Sequence, residues 1–577
     1  MPTLEWIGKE KVINYHQQVP YRVLEEKYTY NAEKSDNMII RGDNLEALKA
    51  LLPRYEGKVK CIYIDPPYNT GNEGWVYNDN VNDPKMKKWL GEVVGKEGED
   101  LSRHDKWLCM MYPRLKLLQK LLAEDGVIFT SIDDTEYANL KLICDEIFGS
   151  NCFVSNISWQ RTYSTRNDSK GIVNEVEHLL VYSKQPDWNP NKLPRTEEMN
   201  SKYKNPDNDR TLWRTDNAFA PGAATHQGMV YAIQHPFTGQ MLYPSNGACW
   251  RYQQDQMLEI MRGWCDYELR DLNDAHERAV VCGVADEDVR QGVQAIVLSE
   301  PLDISAKKAQ AVYERGQWPR FFFTKGGKGG IARKTYLENV GGKLPTNFWP
   351  FSETGHTDEA KKEMLAIFDG KATFDTPKPR RLLEFVLKVA GTEDALVLDS
   401  FAGSGTTAHA VLNMNKADDG HRKFILIEMM DYADSITAER VKRVIDGYGE
   451  GKNTVAGTGG SFTFYDLGEV LLLPNGNLNE NVPADKIREY VYYMETKEPM
   501  THAGNGNPYF LGSSRDTAYY FFYEKDAITT LDHAFLATIP EKAEGYIIYA
   551  DLCTIPAEEL AKYNITFKKI PRDIAKL

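Results

Sequence analysis

At 577 residues the chain is too long for one hydrophobic core, so three or four structural regions are expected. Its 42% hydrophobic and 26% charged residues describe a soluble globular protein. No apolar run is long enough to span a bilayer and the start lacks a signal-peptide pattern, so a cytoplasmic protein is expected. The formal net charge of −14 leaves any contact with a polyanion to local basic patches.

In chain order, Asp43 to Leu52 reads as a helix, with Asp43 at the N-cap, Glu46 three residues on, and Leu45, Leu48 and Leu52 on one face. It leads to the apolar run Val59 to Ile64, a buried strand that ends on Asp65-Pro66-Pro67-Tyr68. Two successive prolines fix φ and stiffen the loop, aiming its carbonyls. The Asp65 carboxylate and the Pro66 carbonyl could accept both N–H groups of an exocyclic nucleobase amine. That would pull its nitrogen toward tetrahedral geometry and free the lone pair; the charged acceptor makes the stronger bond. Tyr68 offers a ring for an extruded base, with the ring expected to matter more than the hydroxyl. The structural alternative is a strand followed by a Pro-Pro turn.

Trp107, Met111, Leu115, Leu118 and Leu122 form a helical stripe, Val127 to Ile132 a strand, and Leu140, Ile143 and Ile147 a further helix with Gly149 as its C-cap. This β/α alternation implies a mostly parallel sheet covered by helices. The stretch from 156 to 374 must leave that sheet and return, which makes it the natural target-recognition insertion. Within it Arg161, beside Trp159 and Gln160, and Arg166 follow a strand and are candidates to enter a groove. Ala275 to Tyr313 reads as helical. A glycine-rich basic run carries Lys325, Lys328, Arg333 and Lys334, expected to touch a DNA backbone; the alternative is a solvated loop. His356 reads as structural.

Thr376 is expected to cap a helix with Pro377 in its first turn and Leu382, Leu383, Val386 and Val389 inside. Ala395 to Leu398 is a strand, followed by Asp399-Ser400-Phe401-Ala402-Gly403-Ser404-Gly405-Thr406-Thr407 and a helix to Met414. Glycines between strand and helix let a ligand approach the backbone at the carboxyl edge of a parallel sheet. The next strand, Phe424 to Ile427, ends in Glu428, placed to hold a ribose diol. No lysine follows Gly405, which argues against a triphosphate loop; with the amine-activating loop, S-adenosylmethionine is the economical ligand. His409, on the helix after the loop, carries no chemical role. Glu450 to Ser461 reads as a linker, and residues 462 to 577, rich in Tyr and Phe with strand-like runs at Val470 to Leu473, Tyr519 to Tyr523 and Tyr546 to Tyr549, as an interaction domain. Eight scattered cysteines without CxxC pairs (Cys61, Cys109, Cys144, Cys152, Cys249, Cys265, Cys282 and Cys553) read as reduced thiols, and no metal is indicated.

The motifs in combination resemble the β-class amino-methyltransferases of DNA, in particular the modification (Mod) subunits of type III restriction–modification systems. The resemblance runs through Leu4 to Lys9, Gly42 to Leu48, Asp65 to Gly71, Glu177 to Tyr182, Asn205 to Asp209, Thr376 to Pro379 and the glycine loop. It implies an α/β, Rossmann-like sheet with catalytic residues Asp65, Pro66, Pro67 and Tyr68. Its cofactor pocket would be formed by Lys378, Asp399, Phe401, Gly403, Gly405, Thr406 and Glu428. Asp43 is a further pocket candidate, with a plain N-cap role equally open. The expected organisation is a catalytic part over 1–155, a target-recognition insertion over 156–374, a cofactor part over 375–450 and a small C-terminal α/β domain over 461–577. The resemblance further implies N6-adenine methylation of duplex DNA with base flipping, a homodimer and a helicase–nuclease restriction partner. The competing readings are a solitary adenine methyltransferase, an RNA methyltransferase, a cytosine-N4 enzyme (disfavoured, because that activity in the family goes with Ser at the Asp65 position) and a non-catalytic DNA-recognition subunit.

Overall fold

The apolar runs assemble into one ten-stranded sheet. Its strands are β1 Arg22–Tyr30, β2 Met38–Arg41, β3 Val59–Ile64, β4 Leu122–Ile132, β5 Phe153–Gln160, β6 Val176–Ser183, β7 Phe348–Trp349, β8 Leu396–Asp399, β9 Lys423–Glu428 and β10 Phe462–Val470. Across the sheet the order is β1-β10-β2-β9-β8-β3-β4-β6-β5-β7. The six strands from β10 to β4 run parallel, while β1 and β6 run against their neighbours. The computed structural model describes residues 3–70, 103–163, 172–500, 506–540, 542–571 and 573–574. Arg166 and Gly71 lie outside the described residues.

Parallel strands buried on both faces need continuous apolar sequence. Val59, Cys61, Ile62 and Ile64 in β3 and Phe424 to Ile427 in β9 are all sealed from solvent. The covering helices follow the sequence periodicity: Asn44–Tyr55, Arg103–Leu121 and Tyr137–Phe148, the last ended by Gly149 at φ +94°. Asp43 caps the first of these, its carboxylate accepting from the Leu45 N–H at 2.7 Å. Glu46 does not close a capping box; it pairs with Arg22 at 2.9 Å. Among the described residues no helix is long and apolar enough to cross a membrane.

The chain divides into two compact units, Met1–Asn191 with Pro345–Leu577, and Lys192–Leu344. The excursion from the sheet is therefore narrower than 156–374, because β5, β6 and β7 extend the main sheet beyond β4. The smaller unit has its own core, in which Trp213, Tyr231, Trp250, Trp264, Phe321 and Phe323 are buried together, and it carries a four-stranded and a three-stranded sheet. Its helical expectation over 275–313 is half met. Helices span Ala275–Cys282 and Leu302–Arg315, but Ala295–Leu298, four consecutive buried apolar residues, is a strand.

The C-terminal boundary also moves. Residues 462–470 do not open a separate domain: β10 is inserted between β1 and β2 of the main sheet. Glu450 to Ser461 is accordingly no interdomain linker, and part of it pairs as a short hairpin, Val455–Ala456 against Gly447–Tyr448. Beyond β10 a helix, Ala484–Thr496, and a four-stranded sheet built from Phe510–Ser514, Thr517–Phe521, Gly545–Ala550 and Ile565–Lys569 complete the chain.

Candidate active site at the carboxyl edge of the sheet

The order of the strands decides what meets. β3 and β8 are neighbours, with Cys61 beside Val397 and Ile62 beside Leu398, so Asp65 and Asp399 emerge side by side although 334 positions apart in number. β9 lies on the other side of β8 and delivers Glu428 to the same edge. Ligands of open α/β sheets bind at this edge. Here the strand ends line a cleft of about 1010 Å³, mouth included, with Asp65, Pro67, Lys378, Asp399, Phe401, Gly403, Thr406 and Glu428 in its wall.

The glycine loop is held from both sides. Asp399 accepts from the Phe401 N–H at 3.0 Å, and Glu428 accepts from the Gly403 N–H at 2.8 Å and the Met430 N–H at 3.0 Å. Gly403 and Gly405 have φ of +51° and +81°, the left-handed region that favours glycine. A Cβ on Gly405 would also stand 3.0 Å from the Thr437 carbonyl. Behind the loop lies Arg440, fully buried and absent from the sequence expectations. It donates to Ser404 Oγ at 2.8 Å, Thr406 Oγ1 at 2.7 Å, Glu363 at 3.3 Å and His409 Nδ1 at 3.2 Å. His409 is thus a buried partner of Arg440, and burial together with that cation holds it well below the usual histidine range. Burial raises Asp399 and Glu428 to about 7 each.

The wall chemistry suits a ligand with hydroxyl and ammonium donors. Three carboxyls (Asp65, Asp399 and Glu428), the Phe401 ring and the Ser400 hydroxyl, which is buried with no hydrogen-bond partner among the described residues, are gathered there. Asp43 is not in the wall; it is committed to its helix and to Arg114, whose Nη2 lies 3.2 Å away, while Asn44 takes the wall position.

The helix expected to be capped by Thr376 is capped three residues later, by Pro379, and begins at Arg380. Pro377 and Pro379 keep Thr376–Pro379 non-helical, and this carries Lys378 into the catalytic loop. Its ammonium donates to both Asp65 oxygens at 2.8 Å and to the Tyr68 hydroxyl at 2.8 Å, and lies 3.5 Å from Glu177. The Tyr68 hydroxyl has one proton to place between Asp65 at 2.9 Å and Glu177 at 3.1 Å. Trp107 Nε1 pins the Pro67 carbonyl at 2.6 Å. Burial raises the Asp65 carboxyl against the pull of Lys378. For Glu177 burial is outweighed by Lys378 and Arg161, which hold it below the usual range.

The basic candidates separate. Arg161 is paired with Glu177 at 2.8 Å. Lys325 and Lys328 are exposed on the glycine-rich turn. Arg333 is partly buried against Asp216 at 2.6 Å. Lys334 cannot reach a phosphate: it is fully buried, paired with Asp207 and with Asp209 at 2.6 Å, because β-alternation turns it inward one residue after Arg333. His356 caps the helix Thr357–Ile367 by accepting from the Glu359 N–H, a structural role as expected.

The chain belongs to the DNA methylase family, whose sequence pattern matches residues 59–439, more than half of its length. It is 33% identical over 446 residues to the type III restriction–modification enzyme StyLTI Mod subunit of Salmonella typhimurium, covering 71% of this chain and 57% of that one. To the EcoPI Mod subunit of Escherichia phage P1 it is 30% identical over 450 residues, covering 74% and 63%. To the type II methyltransferase M.KpnI of Klebsiella pneumoniae it is 29% identical over 405 residues, covering 69% and 81%. The chain thus spans less than two thirds of the length of either Mod relative.

Proposed function

We propose that the chain is an S-adenosylmethionine-dependent methyltransferase that modifies the exocyclic N6 amine of an adenine flipped out of duplex DNA, as the modification subunit of a type III restriction–modification system. The observation that carries this reading is the juxtaposition at one sheet edge of Asp65 and Tyr68 with the cleft walled by Asp399, Gly403 and Glu428. The family membership and the likeness to two Mod subunits support it.

Bound in the cleft, S-adenosylmethionine supplies an electrophilic methyl group on a sulfonium. Glu428 and Asp399 are the acceptors for its hydroxyl and ammonium donors, and Phe401 offers a flat apolar face. At the neighbouring loop Asp65 accepts an N–H of the target amine, holds the nitrogen lone pair toward the cleft, and receives the proton that the methylated nitrogen gives up. Its raised carboxyl suits that last step, since a buried carboxylate takes a proton more readily than an exposed one. The Asp at position 65 favours adenine over cytosine. A homodimer in the cytoplasm, docking a helicase–nuclease subunit, completes the proposal.

The test is methylation of unmodified duplex DNA by the purified chain, read by long-read sequencing for base and motif together. N6-methyladenine in one recurring motif, lost in Asp65→Ala while the cofactor still binds, is the expected result. Cytosine modification, RNA-only activity or undiminished transfer by Asp65→Ala would overturn it.

A further inference from the structure

Resting on that reading, one feature of the catalytic loop demands a partner that the mechanism above does not use. The carboxylate assigned to the target amine is already engaged: Lys378 donates to both Asp65 oxygens at 2.8 Å. An incoming amine must displace that ammonium, and a cation left without an acceptor in a buried pocket is costly. The alternative acceptor is 3.5 Å away. Glu177, at the start of β6, is 6% exposed and points its Oε2 at Lys378 and at the Tyr68 hydroxyl, while Arg161 holds its other oxygen at 2.8 Å. β6 runs antiparallel to β4, and this reversal brings its first residues back to the carboxyl edge beside the loop.

We infer that Glu177 is a positioning residue that receives the Lys378 ammonium when the target amine takes the Asp65 carboxylate. Two carboxylates share one lysine, so the ammonium moves from one to the other without losing its acceptor, while the target amine takes its place as donor to Asp65. Arg161 keeps Glu177 oriented while Lys378 is on Asp65. The Tyr68 hydroxyl, within reach of both acids, is placed to turn its single O–H from one acceptor to the other as the lysine moves.

The test is a double-mutant cycle on the full-length chain, read by single-turnover methylation of its own duplex site. Glu177→Gln keeps an oxygen that can accept from Tyr68 but removes the charge, and should slow transfer about tenfold with cofactor affinity unchanged, a coupling within the usual range for residues in contact. Lys378→Met removes the ammonium that both carboxylates share and should itself slow transfer, and adding Glu177→Gln to it should have little further effect. Glu177→Asp, which restores the carboxylate, should recover part of the loss. Equal fold-effects of Glu177→Gln in both backgrounds, undiminished transfer by Glu177→Gln alone, or no recovery in Glu177→Asp would each overturn the inference. An active wild type with additive effects removes this inference alone, whereas a wild type that transfers no methyl group removes the proposed function and the inference with it.

Discussion

Asp399 and Glu428, one strand apart at the floor of the cleft, give the site a pH dependence of definite sign. Burial raises both carboxyls to about 7, whereas in an unfolded chain they ionise near pH 4. Between those values the folded chain holds protons that the unfolded chain has lost, so their contribution to stability falls as pH rises through this window. A ligand that carries sulfonium and ammonium charge binds the ionised form. Its affinity should therefore increase with pH through about 7 and its binding near neutrality should release protons. Calorimetry in buffers of different ionisation enthalpy measures that release; Glu428→Gln should diminish it, and an affinity flat across the window would take these acids out of the site. The hydroxyl of Tyr68 has more partners than the sequence suggested. Alone, the motif makes Tyr68 a stacking ring and Tyr68→Phe far milder than Tyr68→Ala. With the hydroxyl bonded to Lys378, Asp65 and Glu177, Tyr68→Phe should cost about 0.5–1.5 kcal/mol in single-turnover methylation. Tyr68→Ala should lose a further ~1–3 kcal/mol of stacking.

Among the elements, the glycine loop is braced by the turn at Asp434–Ala438, where Thr437 Oγ1 donates to the Gly403 carbonyl at 2.6 Å, and by Arg440 behind it. Gly405→Ala would put a side chain at φ +81° and against the Thr437 carbonyl, for a cost of at least about 1–2 kcal/mol. A lowered denaturation midpoint together with weaker cofactor binding is the expected outcome; an unchanged affinity would show that the loop does not shape the cleft. This brace also marks where sequence stops informing. The strands β3, β4, β8 and β9, the glycine loop and the catalytic loop were legible because each is one contiguous run whose period or composition names it. Arg440 was not, and Glu177 stood out only as the first residue of a family-like stretch with no role attached, since each acts through partners tens to hundreds of positions away. The helix cap slid from Thr376 to Pro379 because alternating prolines mimic a first-turn signal while stiffening an extended segment. Lys334 failed for a related reason: a basic run reads as a patch until strand alternation turns one member into the core.

At the scale of the molecule, Lys192–Leu344 brings its own two ends together, Leu193 and Lys343 exchanging backbone hydrogen bonds at 2.8 Å. Replacing residues 194–342 with a short turn should leave the larger unit folded and still able to bind cofactor, but abolish methylation at a defined DNA site. Retained motif-specific methylation would place recognition elsewhere. Light scattering of the full chain at low micromolar concentration should give a dimer; a monomer that methylates specifically would refute that part of the proposal. The placement of β10 between β1 and β2 has a consequence for biosynthesis. While a ribosome emits the chain, two N-terminal strands wait with a gap between them until the segment that fills it leaves the exit tunnel. Roughly 430 residues separate β1 from β10, a delay of roughly 20 to 90 seconds at 5–20 residues per second. Throughout that interval the half-built sheet offers unpaired backbone to any neighbouring chain. Crowded overexpression should therefore produce aggregates that slower translation or lower temperature relieves, and a transcript truncated before Phe462 should yield insoluble product even though every residue of the cleft has been made.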